Sequence, residues 1–365
     1  MKVPFLDLKA QYPLILLGIK ERFARIIDNT AFVCGKEVQE FEKKFAELHD
    51  VKYCVGLSSG TAGNHLALLC NGIGREDEVI IPVNTFVAAI EAICYAGAVP
   101  VFVDVDINTF NIDVEKIEER ITDKTEAINP VHLYGQPADM NSILRIADEY
   151  ELKVIEDAAQ AHCAVHKGRK VGGIGDVASW SFYPGKNLGA WGEAGAITTN
   201  DKEIYLKAKM LRDHGSSKKY YHNMIGFNYR MSEFQAAVLN VKMKYIEEWT
   251  DMRQENARRY CDGLKDIETI ILPSEMNDVE HVYHLYVIRT KERNILQEYL
   301  KENDIASGLH YPFPLHMLQA YADFGYKRGD FPVAEQLASE ILSLPMFAEL
   351  SKNQIEYVCR KIKDI

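Results

Sequence analysis

Several features that would assign a chain of this size quickly are missing from its sequence, and each absence excludes a class. No G-x-G-x-x-G follows the first apolar run, where Leu57-Ser58-Ser59-Gly60-Thr61 stands instead, which disfavours an NAD-dependent sugar-nucleotide oxidoreductase. No C-x-x-C pair occurs, and the eleven histidines do not group with cysteines at zinc-ligand spacings, so no metal is expected. Positive charge is in deficit: the formal net charge is −11 over 365 residues. Nucleic acid and anionic membrane surfaces reward clustered Lys and Arg, and neither is expected as a partner. No stretch is long enough to span a bilayer, and Met1 to Leu6 lacks the apolar run of an export signal. Repeats and low-complexity segments are absent as well, which argues against a solenoid or a disordered interaction protein. The seven cysteines are odd in number, widely spaced and mostly set in apolar stretches. They read as reduced core thiols, and a cytoplasmic protein is expected.

What is present begins with enough apolar sequence, 47%, to bury a full core. The length exceeds that at which one core usually divides, so one large and one small domain are expected, residues 1–240 and 241–365. From Tyr53 short apolar runs alternate with segments of helical period: Tyr53–Leu57 then Ala62–Cys70, Glu78–Pro82 then Phe86–Tyr95, Val99–Val105, Ala127–Leu133, Lys153–Glu156. Such alternation is the pattern of an α/β domain with a largely parallel sheet, and unbroken apolar runs suit strands covered on both faces. After Thr199 the pattern changes to a long helical stretch, Glu233 to Leu264, leading into a C-terminal part with a strand at His284–Arg289 and helices around Ile295–Glu302 and Ala334–Ile341.

Four short segments carry chemistry. In Val154-Ile155-Glu156-Asp157-Ala158-Ala159-Gln160 an apolar run ends in an acid at the carboxyl end of a parallel strand, the edge where open α/β sheets bind ligands. A carboxylate there can pair with a protonated pyridine nitrogen; it can equally cap the next helix. Ser181-Phe182-Tyr183-Pro184-Gly185-Lys186-Asn187 puts a lysine in a Pro-Gly turn near the same edge, where partial burial makes an amine nucleophilic. Gly56-Leu57-Ser58-Ser59-Gly60-Thr61 runs from a strand through small residues into a helix start, a place suited to phosphate or simply to a helix cap. Phe86 follows another strand end, able to stack on an aromatic cofactor or to serve in the core. An acid, a lysine, a phosphate turn and an aromatic plate at one sheet edge are the groups that a pyridoxal-phosphate site needs.

At these residues the sequence resembles the DegT/DnrJ-type sugar aminotransferases, a branch of the fold type I pyridoxal-phosphate enzymes. The resemblance runs from Pro4-Phe5-Leu6-Asp7-Leu8 through Pro130-Val131-His132-Leu133-Tyr134-Gly135 to Ser343-Leu344-Pro345-Met346. It implies a large domain with a mostly parallel mixed sheet flanked by helices, a smaller C-terminal α+β domain, and a homodimer whose two active sites are shared. It implies that Lys186 carries pyridoxal 5′-phosphate as an imine, that Asp157 pairs with the pyridinium nitrogen, and that Gln160 lies near the ring hydroxyl. Gly60, Thr61 and Ser181 would hold the phosphate, with Asn228 reaching it from the partner chain. Relatives that dehydrate sugars carry histidine in place of Lys186, so its presence favours transamination. A regulator that kept only the fold would have shed Lys186 or Asp157.

The substrate implied is a nucleotide-linked keto sugar, with L-glutamate as amino donor. His310, Tyr311 and Tyr183 resemble the residues that approach the hexose in enzymes aminating C3 of a dTDP-linked 3-keto-6-deoxy sugar. Lys219 and Tyr220 would contribute from the partner. A similar His-Tyr-Pro element occurs in enzymes acting on UDP-linked 3-keto uronic acids, and 4-keto sugars are a further alternative. Trp191 and the run Asn228-Tyr229-Arg230-Met231-Ser232-Glu233 depart from many C3 enzymes and bear on the sugar, not the chemistry.

Overall fold

In the computed structural model, which describes residues 1–365, the runs from Tyr53 onward become β1 (Tyr53–Leu57), β2 (Glu78–Pro82), β3 (Val99–Val103), β4 (Thr125–Ile128) and β5 (Lys153–Asp157). A small excursion, β6 (Val165–His166) and β7 (Arg169–Lys170), precedes β8 (Val177–Ser181) and β9 (Gly195–Thr199). Seven strands form one sheet in the order β1-β9-β8-β5-β4-β2-β3. Only β9 runs antiparallel to its neighbours. Six strands therefore bring their carboxyl ends to one edge, and β9 brings its first residue, Gly195, to that edge between Leu57 and Ser181.

Helices cover both faces, as the unbroken apolar strands require. Val79 and Ile81 pack in a cluster with residues of α3 (Gly60–Cys70) and α4 (Val87–Ala96). Ile80 between them joins an opposite cluster with Phe41 and Phe45 of α2 (Lys36–Leu48) and Ile143 of α5 (Met140–Glu149). The period of two along the strand divides one apolar run between two layers. Ahead of α2 lies α1 (Tyr12–Asp28), and α6 (Lys202–Leu211) follows the sheet. Of the run expected to continue to Leu133, the regular strand ends at Ile128; Pro130 offers no N–H, and the pairing resumes as a single parallel bridge between Val131 and Asp157.

The helix expected over Glu233–Leu264 is two helices, α7 (Glu233–Lys242) and α8 (Ile246–Leu264), separated by a tight turn at Met243–Tyr245. Neither glycine nor proline breaks it. Instead the two halves bury into different places: Val238 and Val241 face Ile15 and Ile19 of α1, whereas Ala257, Tyr260 and Leu264 enter a separate C-terminal cluster. That cluster is closed by β13 (Tyr286–Arg289), α9 (Arg293–Glu302) and α11 (Lys352–Lys363). The helix expected through Ile341 is α10 (Pro332–Glu340); Ile341 opens β14 (Ile341–Leu344), which pairs antiparallel with β13. Three short strands complete the chain, the hairpin β10 (Ser216–Lys218) and β11 (Tyr221–His222), and β12 (Val279–Glu280) beside β6.

Candidate active site

Asp157, the last residue of β5, is buried at the edge where the six carboxyl ends converge. Its carboxylate accepts hydrogen bonds from Asn64 Nδ2 at 2.9 Å and from the Ala159 N–H at 3.1 Å. Asn64 is fixed in turn by Ser179 Oγ, which donates to its Oδ1 at 2.7 Å. Glu156 points to the opposite face of the sheet, as alternation along a strand dictates. There it receives His132 Nε2 and the N–H groups of Gly172, Ile174 and Gly175.

Lys186 sits in the turn after β8, its N–H donating to the Tyr183 carbonyl at 2.8 Å. The turn closes because residue 189 is glycine: a Cβ there would stand 2.3 Å from the Pro184 oxygen. Asn187 pins the turn to the C-terminal part, donating to the Val282 carbonyl at 3.0 Å and meeting His284 Nδ1 at 3.3 Å. Burial lowers the Lys186 pKa to about 8, against the opposing pull of the Asp157 charge. His162, His284 and His310 lie close enough to feel the lysine, and burial holds all three below the usual histidine range, His310 down to about 4. The amine therefore stands among neutral rings and one carboxylate.

The first residues of α3 approach the end of β8 closely. A Cβ on Gly60 would meet Ser181 Cβ at 2.7 Å, so only glycine fits between the helix start and the serine. Ser59 caps the helix through the Ala62 N–H. The N–H groups of Gly60 and Thr61 have no partner within the helix and lie at the positive end of its dipole, with Gly60 against Ser181.

Above this edge lies a layer from the C-terminal part. Gln160 accepts the Tyr134 N–H at 2.7 Å and donates to the Tyr311 hydroxyl at 3.2 Å. Tyr134 donates to the His310 carbonyl. His310 stacks on Phe5, centroids 5.6 Å apart, and its Nδ1 meets Ser343 Oγ at 2.8 Å. Phe86 lies 5.6 Å from the Tyr311 ring yet stays half exposed.

Thus Lys186, Asp157, Gln160, Gly60, Thr61, Ser181, Phe86, His310 and Tyr311 share one region. Tyr183 is in the lysine turn with its ring exposed. Lys219 and Tyr220 stand apart on the β10–β11 hairpin, Tyr220 81% exposed, and exposed Asn228 follows in the returning strand segment. Trp191 packs on Tyr12 and Phe23 of α1. The sequence reading missed Asn64, Ser179, Tyr134, Asn187, His162 and His284. A signal existed for two of them: Asn64 lies four residues after Gly60, on the same helix face, and Asn187 adjoins the lysine.

The residues present fit pyridoxal phosphate: a cradle that a Cβ would fill, an amine near neutrality, a buried carboxylate with acceptor positions left, and an uncovered aromatic ring. Sheet topology and site together define a fold type I pyridoxal-phosphate aminotransferase. The chain belongs to the DegT/DnrJ/EryC1/StrS aminotransferase family, whose model matches residues 17–363. It is similar, at 45% identity over 99% of its length and 98% of the relative's, to the dTDP-3-amino-3,6-dideoxy-alpha-D-galactopyranose transaminase of Aneurinibacillus thermoaerophilus. A pleiotropic regulatory protein of Geobacillus stearothermophilus is 44% identical, with 100% of this chain and 98% of the other covered. Among solved structures, Streptomyces venezuelae DesV in complex with a ketimine intermediate matches with a TM-score of 0.98 at 40% identity, covering 100% of this chain and 98% of that one.

Proposed function

We propose that the enzyme moves an amino group from L-glutamate to C3 of a dTDP-linked 3-keto-6-deoxy hexose in two half-reactions. The observation that carries this reading is the seam at which His310 and Tyr311 close over Gln160 and Tyr134, bringing a polar, aromatic layer to the lysine edge. The end-to-end likeness to a dTDP-3-amino-sugar transaminase supports the same choice. When bound, pyridoxal phosphate supplies an aldehyde for the incoming amine and an electron-accepting ring.

The chain's own residues supply the rest. Lys186 would attach the cofactor, and its Nζ would remove the proton from the amine-bearing carbon of the donor and return one to C3 of the sugar. Asp157 would hold the proton at the ring nitrogen. Gly60, Thr61 and Ser181 would bind the phosphate, and Phe86 would cover the ring. Gln160, engaged at both ends, would fix Tyr311 against that ring. Tyr183 and His310 would orient the hexose hydroxyls. A division into a cofactor-binding part, residues 1–240, and a smaller part, 241–365, suits this arrangement, and the seven free thiols suit the cytoplasm.

Borohydride treatment of the yellow holoenzyme should leave a mass adduct on the peptide containing Lys186. Incubation with glutamate and a panel of dTDP- and UDP-linked keto sugars, followed by NMR of the product, tests the substrate. Nitrogen on C4, or turnover only with UDP-linked uronic acids, overturns the sugar assignment. No turnover with any sugar would favour the regulatory role in the name of the Geobacillus relative.

The active form in this reading is a homodimer, to which Lys219, Tyr220 and Asn228 of one chain contribute across to the other. Their exposure, together with Ile225 at 92%, supports it. Exchange of subunits between inactive Lys186→Ala and Asn228→Ala proteins should restore part of the activity; no recovery despite demonstrated exchange counts against it.

A further inference from the structure

Asn64 serves no role that the proposed chemistry has used, yet it is buried, polar and joined to both the phosphate end and the ring end of the site. It lies on α3 four residues beyond Gly60, so the helix start beside Ser181 and the amide beside Asp157 face the same way, one turn apart. The helix comes this close because residue 63 is glycine. A Cβ there would stand 2.9 Å from the Ala196 oxygen and 3.3 Å from Ser179 Cβ.

The orientation of the amide is determined by its neighbours. An ionised carboxylate only accepts hydrogen bonds, so the side of Asn64 facing Asp157 Oδ2 at 2.9 Å must be the NH2 group. Its oxygen then faces Ser179, whose hydroxyl donates at 2.7 Å. Asn64, Ser179 and Asp157 are 3%, 0% and 6% exposed, so solvent does not compete for these bonds. A donor fixed at its far end limits the rotation of the carboxylate it holds. The Ala159 N–H takes one position on Oδ1, which leaves two of about four acceptor positions open.

We infer that Asn64 is a positioning residue: held by Ser179, it fixes the rotation of the Asp157 carboxylate so that an oxygen would accept a hydrogen bond from the ring N–H. Through α3 the phosphate cradle and the carboxylate are set at one distance by one rigid element. The inference rests on the reading of the site as a pyridoxal-phosphate site. Binding of pyridoxal phosphate by the wild-type protein tests that reading, and the ratio of variant to wild type tests this one.

The experiment is titration of apo-protein with pyridoxal phosphate, followed by pH titration of the visible absorption band of the loaded protein and measurement of kcat and KM for glutamate. Asn64→Leu keeps the volume and removes the bond. It should bind the cofactor about tenfold or more weakly, the range expected for loss of a hydrogen bond to a charged group. Its band midpoint should shift, and kcat should fall with KM for glutamate little changed. Ser179→Ala leaves the amide but frees its orientation, and it should move the same three readouts in the same direction by a smaller factor. Cofactor affinity within twofold of wild type and an unmoved band in Asn64→Leu, whatever its melting temperature, overturn the proposal by making the residue merely structural. Should Asn64→Leu fail to fold, Ser179→Ala decides alone: unchanged affinity and band overturn the inference.

Discussion

Two carboxylates stand next to each other on β5, equally well hidden, on opposite faces of the sheet. Glu156 has four donors: Gly172 N–H and His132 Nε2 on one oxygen, Ile174 and Gly175 N–H on the other, all within 3.0 Å. The Ala138 N–H donates to His132 Nδ1, so the proton of that ring is on Nε2, facing the carboxylate. Asp157 has two donors, and one of them is a side chain. A buried carboxylate whose acceptor positions are all filled by the protein is complete in itself, and its work is to hold the chain together. One that is half filled makes sense only with a ligand group still to come, because an unsatisfied buried acceptor is costly.

The comparison predicts opposite failures. Asp157→Asn keeps shape and can still accept from Asn64, but it removes the charge that would face the ring nitrogen. Turnover should fall a hundredfold or more, about 3 kcal/mol at the transition state, with the melting temperature close to wild type. Near-normal turnover would remove Asp157 from its role.

Glu156→Gln should do the reverse. An amide turns an NH2 group toward donors that need an acceptor, at a cost of about 2 kcal/mol in stability, while kcat per folded molecule stays within a few-fold. Burial pushes the Glu156 carboxyl up, but His132 and the backbone donors outweigh it and hold the pKa below its usual value. Its stabilisation is therefore present above the usual carboxylate range and is lost as pH falls through it. Wild type should lose stability in acid more steeply than Glu156→Gln, as denaturant midpoints from pH 7 to pH 3 would show.

How much of this was legible in the sequence follows from where the information lies. The sheet edge was readable because each strand end is local: an apolar run, then Asp157, or Ser181 and Lys186, or Gly60. That Glu156 and Asp157 part company was readable too, from the period of two. What could not be read were partners brought from afar, such as Ser179 behind Asn64 or Val282 against Asn187. Boundaries failed where tertiary burial overrode a periodic pattern. Met243–Tyr245 breaks a continuous helical period because its two sides enter different cores, and Ile341 continues the apolar spacing of α10 while pairing as a strand with Arg289.

A third test extends the comparison to the sugar side, where His310 is half filled in the same sense. Its Nδ1 meets Ser343, its ring is neutral, and Nε2 is left for a ligand hydroxyl. Tyr183 is freer still, its ring exposed. His310→Asn and Tyr183→Phe should each slow the sugar half-reaction about tenfold or more by misplacing the ketone, and spare the glutamate half-reaction. Equal losses in both half-reactions, or lost stability alone, would assign them to packing.

The smallest effect separates the two acids by their reach to Lys186. Burial is the larger influence on that amine and lowers its pKa; the charge of Asp157 acts against it and raises it, the balance standing at about 8. Covalent uptake of pyridoxal phosphate needs the neutral amine. The rate of uptake by apo-protein, trapped with borohydride at intervals, should therefore rise with pH and level off above about 8. Asp157→Asn removes the influence that raises the pKa and leaves the one that lowers it, so the midpoint should move below that of wild type. At neutral pH a larger share of Lys186 would then be reactive, even though the variant turns over poorly. Glu156 faces the other side of the sheet with its charge absorbed by four donors, and Glu156→Gln should leave the midpoint where it is. A midpoint that rises in Asp157→Asn, or one that shifts as far in Glu156→Gln, would show that the two carboxylates are not divided in the way their hydrogen bonds indicate.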